Sequence, residues 1–387
     1  MQDSPNQRPS PAIVIGGGIN ALGVVRSLSQ AGVPVIVLDT DCYSPAMRSR
    51  CGTKRLVQAV GGDRLMDDLK TLAAELGGRA VLFLTEEKAV NTVSEHRALL
   101  PSNLLIRLPE HTRLMALMHK QGFQDLAEAI GAPVPPTVRL QSSLDLPKVS
   151  ALTYPCVLKP SEKSYEYGAL FKKAYKVSSP DEVAELYRKI EPVLADMVVQ
   201  QWIEGRDSDI YFCLQYIGKE GEVVISFTGR KIRSWPPRIG GTASCTAAWE
   251  HNQELTETTK AFFMQVGFTG IGSMEYKLDA RDGHFYMVEP TVSRTDFQEE
   301  VATVNGCNLP LAAYCYELGL PLPAVTPLTP PRAWRDAQVD RWSREEGDGE
   351  VDQASQSHKM VDAYWRWYDP IPWLDDMRSR AKQRLSR

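Results

Sequence analysis

Short apolar runs alternate with amphipathic stretches over the first hundred residues. AIVI (12–15) precedes a glycine-rich turn, GGGINALG, and an amphipathic stretch, VVRSLSQAG, and a second run, VPVIVLD, ends at Asp39. Further along, DRLMDDLKTLAAELG and EEKAVNTVSEHRALL have helical spacing, and AVLFLT between them has the composition of a strand. Alternating strands and helices are typical of a parallel sheet covered by helices. The pattern predicts one α/β domain over residues 1–105.

The pattern changes after residue 106. HTRLMALMHKQGFQDLAEAIG predicts one long helix that ends at Gly131 before a run of prolines, and PDEVAELYRKIEPVLA predicts a second helix with proline in its first turn. DIYFCLQYIG, EVVISFTGRKI, GSMEYKLD and HFYMVEP predict antiparallel strands joined by turns such as GKEGE and DARDG. We expect a second, α+β domain over residues 106–318, with two lobes and a hinge near 198–206.

The last part of the chain, residues 319–387, has a different composition. A proline-rich linker or strap, GLPLPAVTPLTPPR, is followed by a polar stretch that we expect to be flexible and by AYWRWYDPIPWL and RSRAKQRLSR. So many aromatic residues would form an exposed apolar patch unless they pack against the main body or against a second copy of the chain. Contact with a partner or with a membrane surface, helped by the basic residues, is the alternative.

Composition and charge exclude several classes of protein. The 387 residues are too many for one small core, and a net charge of −4 gives no reason to expect nucleic acid as the main partner. The amino terminus has no apolar signal core, and no apolar run reaches the length of a membrane helix. The seven cysteines are scattered without a CxxC pair, which favours reduced thiols in a cytoplasmic protein and disfavours a cysteine metal site.

Two acids lie within apolar strand patterns. Glu275 and Glu289 occupy two short runs that are separated by the turn Asp282-Gly283. On adjacent antiparallel strands, two such side chains can face the same side about 5 Å apart. Like charges at that separation need a cation, and carboxylate oxygens suit Mg²⁺. The alternative is that both acids face solvent on a half-exposed sheet.

Two lysines and a strand point to a nucleotide. Lys120 lies inside the long helical pattern, and Lys159 ends the apolar strand CVLKP, where a lysine can hold a phosphate as a point charge. The strand in VVQQWIEGRDSD could present backbone groups to an adenine ring, and Asp207 or Asp209 could bind ribose hydroxyls.

These stretches, in this order, resemble the ATP-grasp superfamily, most closely its predicted ATP-dependent carboxylate–amine ligases. The resemblance covers residues 10–318 and rests on HKQGFQDLAEAIGAPVPPT, YPCVLKPS, VVQQWIEGRDSD, GFTGIGSMEYKLD and VEPTVSR. It implies a Rossmann-like preATP-grasp domain followed by a two-lobed ATP-grasp fold. It also implies ATP and Mg²⁺, with Mn²⁺ as a substitute for the metal, and small-molecule carboxylate and amine substrates.

The resemblance assigns roles to residues of this chain. It places Lys120 and Lys159 on the ATP phosphates, and Glu275 and Glu289 on magnesium. The adenine and ribose would contact Gln200, Gln201, Trp202, Ile203 and Asp207.

Three positions depart from the family pattern. Thr291 stands where an asparagine usually adds a metal ligand, so a second magnesium would be held more loosely. Arg294 lies five residues after the second glutamate rather than four, which makes its catalytic role less secure. The phosphate-covering loop, SEKSYEYGALFKK, has a single glycine, and Lys172 or Lys173 would supply positive charge there.

The first glycine-rich turn has two interpretations. Gly16, Gly18 and Ala21 match a dinucleotide fingerprint, with Asp39 at the end of the next strand. The resemblance instead implies that Gly16, Gly18 and Asn20 face the substrate at a helix amino terminus, with Arg50 close by. Because the later motifs indicate ATP, we favour the substrate over NAD.

A basic stretch, FTGRKIRSWPPRIGGTASCTA, completes the set of candidate residues. Lys231 and Arg233 would stabilise an acyl phosphate in a loop near the acceptor carboxylate, and an ordinary strand with a basic edge is the alternative. Glu299 and Glu300 are expected to be helix charges rather than catalytic groups. We therefore expect a ligase in which a carboxylate attacks the γ-phosphate and an amine then displaces phosphate. Another ATP-grasp carboxylase or phosphotransferase, and a non-catalytic ATP-binding protein, stay open.

Overall fold

The computed structural model describes residues 9–161, 164–238, 240–296, 298–347 and 358–385. These residues divide into two compact units. The larger unit lies within 1–114, 211–274 and 291–387, and the smaller unit is 115–210 with 275–290. Half of the polar stretch predicted to be flexible, at 348–357, lies outside the described residues, and so do two residues of the predicted phosphate loop, Glu162 and Lys163. The first residues of that polar stretch, up to Glu346, are helical. The three-part division expected from the sequence stays a prediction.

The chain contains strands and helices throughout its described length. The strands are β1 (Ala12–Ile15), β2 (Val35–Asp39), β3 (Thr53–Leu56), β4 (Ala80–Leu84), β5 (Leu104–Leu105), β6 (Thr137–Leu140), β7 (Cys156–Pro160), β8 (Tyr175–Val177), β9 (Met197–Gln201), β10 (Ile210–Ile217), β11 (Val223–Trp235), β12 (Gly241–Ala247), β13 (Gly270–Leu278), β14 (Phe285–Val292), β15 (Ala333–Arg335) and β16 (Met360–Asp362). The α-helices are α1 (Ile19–Gln30), α2 (Pro45–Arg48), α3 (Asp63–Leu76), α4 (Glu87–Glu95), α5 (His111–Met118), α6 (Lys120–Ala129), α7 (Tyr165–Leu170), α8 (Pro180–Ile190), α9 (Asn252–Gln265), α10 (Gln298–Val304), α11 (Leu309–Leu318), α12 (Ala337–Glu346) and α13 (Ile371–Leu385). Short 3₁₀ turns lie at Arg97–Leu99, Ser143–Ala151, Asp207–Asp209 and Trp249–His251.

The first sheet of the larger unit is parallel. Its strand order is β3-β2-β1-β4-β5, and all four residues of β1 are buried, as expected for a strand covered on both faces. The turn after β1 requires glycine at Gly16, where φ is 111° and a Cβ atom would lie 2.3 Å from the Thr85 hydroxyl. The α/β prediction for this region is confirmed.

The second sheet has the order β14-β13-β10-β11-β12-β15-β16. β10 and β11 are antiparallel neighbours, with Tyr211 opposite Arg230, as predicted from the turn at GKEGE. β11 continues to Trp235, and β12 begins at Gly241, so most of the basic stretch is a strand pair rather than a loop. In this stretch Ile239 lies outside the described residues.

The core of the larger unit joins its two sheets through helices. Buried apolar side chains of β1 and α1 form one cluster with those of β10, β11, α10 and α11. Residues 319–332, all of which the structure describes, contain no helix or strand, so the proline-rich segment runs as a strap. Along the described ranges, no helix has both the length and the apolarity to cross a membrane.

The smaller unit is built on an antiparallel sheet of order β6-β9-β7-β8. One face, with Cys156, Leu158, Met197 and Val199, packs in a core with residues of α8. The helix begins as its sequence predicts, because Pro180 occupies the first turn and the Ser179 hydroxyl accepts the Glu182 amide.

Three local predictions are corrected by the structure. The single long helix over 111–131 is two helices, because the backbone of His119 is extended (φ −92°, ψ 131°). A Cβ on Gly122 would lie 2.4 Å from the Ala116 carbonyl oxygen, so the glycine permits close contact between the two helices. The phosphate-loop sequence includes a short helix, α7, and the helix α9 was not predicted at all.

Candidate functional site

The face of the small sheet opposite its core carries polar side chains. Lys159, at the end of β7, donates a hydrogen bond to Gln200 Oε1 in β9 over 2.8 Å. Gln200 pairs in register with Val157 and with Thr137, so all three strands contribute to this face. The sequence predicted only that Lys159 and Gln200 lie near a nucleotide, and the structure brings them into direct contact.

A network of side-chain amides fixes Gln200. Its Nε2 donates to the Thr137 hydroxyl at 3.0 Å, and the Thr137 hydroxyl donates to the Pro135 carbonyl at 2.8 Å. Gln124 of α6 lies 3.5 Å away and is held in turn by Glu128. Because Nε2 is engaged on this side, Oε1 is directed towards Lys159. Gln200 therefore holds the lysine, a role that its predicted place beside adenine did not reveal.

Three lysines and one acid share this region of the smaller unit. The pKa of Lys159 is lowered to about 8, first by burial and then by the positive charges of Lys120 and Lys173, while the charge of Glu289 opposes the shift. Lys120 and Lys173 are exposed, whereas Lys159 is half-buried. Cations crowded in this way repel one another and would be stabilised by a multiply charged anion.

The position of Lys120 in its helix also favours an anion nearby. The break at His119 makes Lys120 the first residue of α6, rather than an interior residue of a long helix. A cation is unfavourable at a helix amino terminus, where the free amides carry partial positive charge. The same end favours a phosphate group, so the amides and the lysine can bind one anion together.

The two strand acids occupy neighbouring cross-strand positions. β13 and β14 are adjacent, and the Ser293 amide donates to the Ile271 carbonyl at one end of the pair. Counting inward from that bond places Glu289 opposite Glu275. The Asp279 amide donates to the His284 carbonyl at the other end of the pair. The register counted from that bond places Glu289 opposite Met274, one residue before Glu275. The pair thus contains one extra residue, a β-bulge.

The bulge lies in a stretch that contains Pro290, which has no amide to donate to a neighbouring strand. Glu289 is exposed, and Glu275 is half-buried. Two carboxylates at such positions fit a hard cation such as Mg²⁺, which takes a few protein ligands and completes its shell with phosphate and water. Across the described ranges, no three His, Cys, Asp or Glu side chains form a metal-binding group.

Two backbone amides of the predicted adenine strand are engaged in hydrogen bonds. The amides of Gln201 and Trp202 donate to the carbonyls of Pro136 and Pro155, each at 2.9 Å. The Trp202 carbonyl accepts from Arg281 at 3.2 Å. Among the residues that the structure describes, no backbone carbonyl accepts from the Ile203 amide, so this amide is a candidate donor to a ligand.

Two lysines lie close to the Trp202 ring. Lys176 Nζ is 4.7 Å and Lys277 Nζ is 5.3 Å from the ring centre, which are cation–π distances. Lys176 also forms an ion pair with Glu204 at 3.0 Å. Asp207, the predicted ribose acid, begins the 3₁₀ turn that follows and is half-buried.

The candidate residues of the larger unit lie in separate places. Arg294 contacts Glu87 of α4 at 3.3 Å, and Lys231 is buried, with Nζ 3.4 Å from the Gly240 carbonyl. Arg233 donates to Asp340 of α12 at 2.6 Å, an ion pair in which the acid is fully buried. Arg233 is thus engaged in packing α12 against β11. Thr291 is half-buried, next to the last residue of β14.

The glycine-rich turn has an acidic environment. A Cβ on Gly17 would lie 1.8 Å from Asp39 Oδ2, and one on Gly16 would lie 3.1 Å from Glu86 Oε1. Burial, and then the charge of Asp39, raises the pKa of Glu86. Gly18 precedes α1, with open space where a side chain would be. The two acids favour a cationic group at this turn over a substrate carboxylate.

The other two predicted substrate residues have structural contacts. Asn20 donates to the Thr85 carbonyl at 2.9 Å, and its Oδ1 accepts from the Thr295 hydroxyl at 2.6 Å. The Arg50 amide donates to Asp369 at 2.8 Å, and its side chain is exposed.

The acids of α10 are buried rather than solvated, in contrast to the sequence expectation. Burial raises the pKa of Glu299 to about 8, and Asp296 contributes to the shift. Glu300 accepts from the Trp334 indole at 2.7 Å and from Arg366. Neither acid is a solvated helix charge. A cationic residue within the largely apolar pattern of α1, Arg26, was the only sequence signal of this buried ionic region.

Comparisons with known proteins agree with this architecture. No family model matches the chain. A D-aspartate ligase of Enterococcus faecium (strain Aus0004) is 22% identical over 326 residues, which cover 80% of this chain and 77% of that protein. The N5-carboxyaminoimidazole synthetase of Staphylococcus aureus, solved with ADP, has a TM-score of 0.63 at 15% identity and covers 85% of this chain and 83% of its own.

A third protein has a similar structure. The biotin carboxylase domain of the Hydrogenobacter thermophilus 2-oxoglutarate carboxylase, solved as a dimer with MgADP, ADP and bicarbonate, has a TM-score of 0.61 at 15% identity. It covers 82% of this chain and 71% of that chain. The chain has the ATP-grasp fold. The predicted fold is confirmed, and the similarity to the D-aspartate ligase agrees with the predicted enzyme class, an ATP-grasp ligase.

Proposed function

We propose that the protein is an ATP-dependent carboxylate–amine ligase that forms an amide through an acyl phosphate. The observation that carries the proposal is the group of Lys120, Lys159 and Lys173 around one strand end of the ATP-grasp fold, with the charge of Glu289 acting on the same lysine. Phosphoryl transfer needs positioning and neutralisation of charge more than a protein nucleophile, and this group supplies both.

ATP would bind to the smaller unit. The three lysines and the amino terminus of α6 would hold its phosphates, and the Ile203 amide would donate to the adenine ring beside Gln201 and Trp202. Asp207 would accept from the ribose hydroxyls. Gln200 would act through Lys159, since it fixes the position of that ammonium group.

Magnesium would be held by Glu275 and Glu289. When bound there, Mg²⁺ supplies charge neutralisation to the phosphate oxygens. Thr291 offers only a hydroxyl, so we do not assign it a direct bond to the metal. Mn²⁺, which accepts the same oxygen ligands, would substitute.

The reaction would join two small molecules. A carboxylate oxygen of the acid forms a bond to the γ-phosphorus, and ADP leaves. The amine nitrogen then bonds to the acyl carbon, loses a proton, and phosphate leaves. We assign Arg294 and Lys231 to stabilise the charge of the acyl phosphate and its departing phosphate. The turn at Gly16 and Gly18, together with Asn20 and Arg50, would contribute to substrate binding.

The decisive experiment measures phosphate release from Mg²⁺–ATP against pairs of acids and amines, with mass detection of the product. The panel includes D-aspartate, the substrate named for the E. faecium relative. Release that requires both partners, with a product lighter than their sum by one water, would support a ligase. A product that gains the mass of carbon dioxide would show a carboxylase, and tight ATP binding without turnover on every pair would indicate a non-catalytic protein.

Nucleotide binding is expected to depend on pH through Lys159. Its pKa in the free protein is lowered to about 8, and bound phosphate would raise it again. The cationic form binds phosphate, so affinity for ADP is expected to fall as pH rises through 8, accompanied by proton uptake on binding. Calorimetry at pH 8.5 in two buffers of different ionisation enthalpy would measure the protons taken up. An absence of proton uptake would contradict the assignment.

Removal of the same ammonium group tests its contact with phosphate. Lys159→Met is expected to weaken ADP binding roughly 10- to 100-fold, since a hydrogen bond to a charged group contributes about 1.5–3 kcal/mol. It should also abolish the pH-dependent proton uptake. Lys70→Met, at an exposed lysine of α3, is the control and should bind ADP like the parent protein. Equal affinity of both variants would exclude Lys159 from the phosphate site.

A further inference from the structure

The last helix of the chain is fixed on one side. On α13, Asp375 pairs with Arg48, and Asp376 accepts from Arg380 at 2.6 Å. Pro372 is buried near the start of the helix. Asp375 therefore joins α13 to α2, and Asp376 is paired within α13 itself.

The other side of α13 is exposed, and its residues recur at helical spacing. Leu374, Met377, Arg378, Ala381 and Lys382 are all exposed, and they lie at positions i, i+3, i+4, i+7 and i+8. This spacing places them on one stripe of the helix. The stripe combines apolar side chains with basic ones and contains no acid.

Two exposed tryptophans precede the helix. Trp367 is 83% exposed and Trp365 is 45% exposed, and the Trp365 ring packs edge-on against Trp373 of α13 at 5.2 Å. The Trp365 indole is therefore packed on the helix that carries the stripe, whereas the Trp367 ring packs on Tyr368, just before that helix. We call Trp365, Trp367, Leu374, Met377, Arg378 and Lys382 the C-terminal face.

The charge of this region is opposite to that of the rest of the protein. Residues 378–387, RSRAKQRLSR, contain five cationic residues and no acid, whereas the whole chain has a net charge of −4. The remaining residues therefore carry −9. A second copy of the chain would bring like charges together if the two C-terminal faces met, so a self-complementary dimer is disfavoured.

We propose that the C-terminal face binds the surface of an anionic lipid bilayer. Indole rings favour the boundary between headgroups and acyl chains, and exposed leucine and methionine side chains gain from burial there. Each lysine or arginine near an anionic surface strengthens binding about fivefold. The helix would lie parallel to the surface, with Asp375 still paired to Arg48 of α2. This inference rests on the exposed residues alone and not on the proposed reaction.

The test is co-sedimentation of the full chain with vesicles. Vesicles of phosphatidylcholine alone are compared with vesicles that also contain phosphatidylglycerol, at low and at high salt. We expect binding to the anionic vesicles at low salt, a blue shift of tryptophan fluorescence, and loss of binding at high salt. ATP turnover measured without vesicles should be unaffected by changes to the C-terminal face.

Two double variants separate the contributions of the face. Trp365→Ala with Trp367→Ala, and Arg378→Glu with Lys382→Glu, are each expected to weaken vesicle binding by more than about tenfold. The control variant, Arg64→Glu with Lys70→Glu, changes the net charge by the same amount as Arg378→Glu with Lys382→Glu, but at two exposed positions of α3. It should retain most of the vesicle binding. Leu144→Ala, at a leucine that is 87% exposed in the smaller unit, is the apolar control.

Three results would overturn the proposal. The parent protein could fail to sediment with anionic vesicles, or the α3 control could lose as much binding as the variants of the face. Alternatively, the variants of the face could leave vesicle binding unchanged but convert an oligomer to a monomer in size-exclusion chromatography. That last result would identify the face as a contact between copies of the chain.

Discussion

Replacing Glu289 by glutamine is expected to lower ATP turnover about a thousandfold, equivalent to about 4 kcal/mol of transition-state stabilisation. The amide has the shape of the carboxylate but lacks its charge, so it would remove one of the two carboxylates proposed to hold magnesium. Glu289 is exposed, so the free energy of unfolding should change by no more than about 0.5 kcal/mol. Steady-state kinetics over a range of Mg²⁺ concentrations, together with a denaturation curve, measure both quantities.

The neighbouring acid provides an internal comparison for this prediction. Glu275→Gln should have an effect of similar size, and the double variant should lose little more than either single variant, because both acids would act on one ion. Glu185→Gln, at an exposed acid of α8, is the matched control and should keep the activity of the parent protein. Full activity of the Glu289 variant would exclude it as a magnesium ligand.

The sequence was sufficient for the architecture because the fold depends on repeated patterns. The apolar runs of β1 and β2, with a glycine turn between them, predict a parallel unit, and Asp282-Gly283 predicts the turn between β13 and β14. The break at His119 could not be predicted in this way. Its neighbours all have helical spacing, and the close contact of Gly122 with Ala116 exists only in three dimensions. That break moves Lys120 from the interior of a helix to its first residue.

Prediction of the candidate site was limited by side-chain contacts between distant residues. The lysines and acids were found because their residue types suggest phosphate and magnesium chemistry. The hydrogen bond from Lys159 to Gln200 depends on the register of β7 and β9. The ion pair between Arg233 and Asp340 joins residues that are more than a hundred positions apart in the sequence. The spacing of residues along the chain carries no information about either contact.

The buried ionic region around Arg26 shows the same limit. Arg26 is 1% exposed and donates to Asp369 at 2.9 Å, and it also donates to the carbonyls of Ala363 and Tyr364. These bonds fasten the aromatic C-terminal segment to α1. From the sequence alone, either the main body or a partner could cover this segment. The structure shows that its backbone is bound to the larger unit, while Trp365 and Trp367 stay exposed.

Asp369→Ala is expected to destabilise the protein by about 3–5 kcal/mol, because it leaves the buried Arg26 guanidinium without its nearest counter-charge. Asp369 is fully buried and also accepts from the Ser49 hydroxyl at 2.7 Å and from the Arg50 amide, so three donors would lose their acceptor. Urea denaturation followed by fluorescence measures the change.

Asp375→Ala is the matched control for this prediction, because it removes an acid of the same C-terminal region from a pair that is partly exposed on both sides. Exposed pairs contribute at most about 1 kcal/mol, so the control should unfold close to the parent protein. Equal losses in the two variants would mean that Arg26 finds enough compensation elsewhere, for which Glu300, 3.9 Å away, is the available acid. A much larger loss for Asp369 would show that the C-terminal segment contributes to the stability of the larger unit through one buried charge.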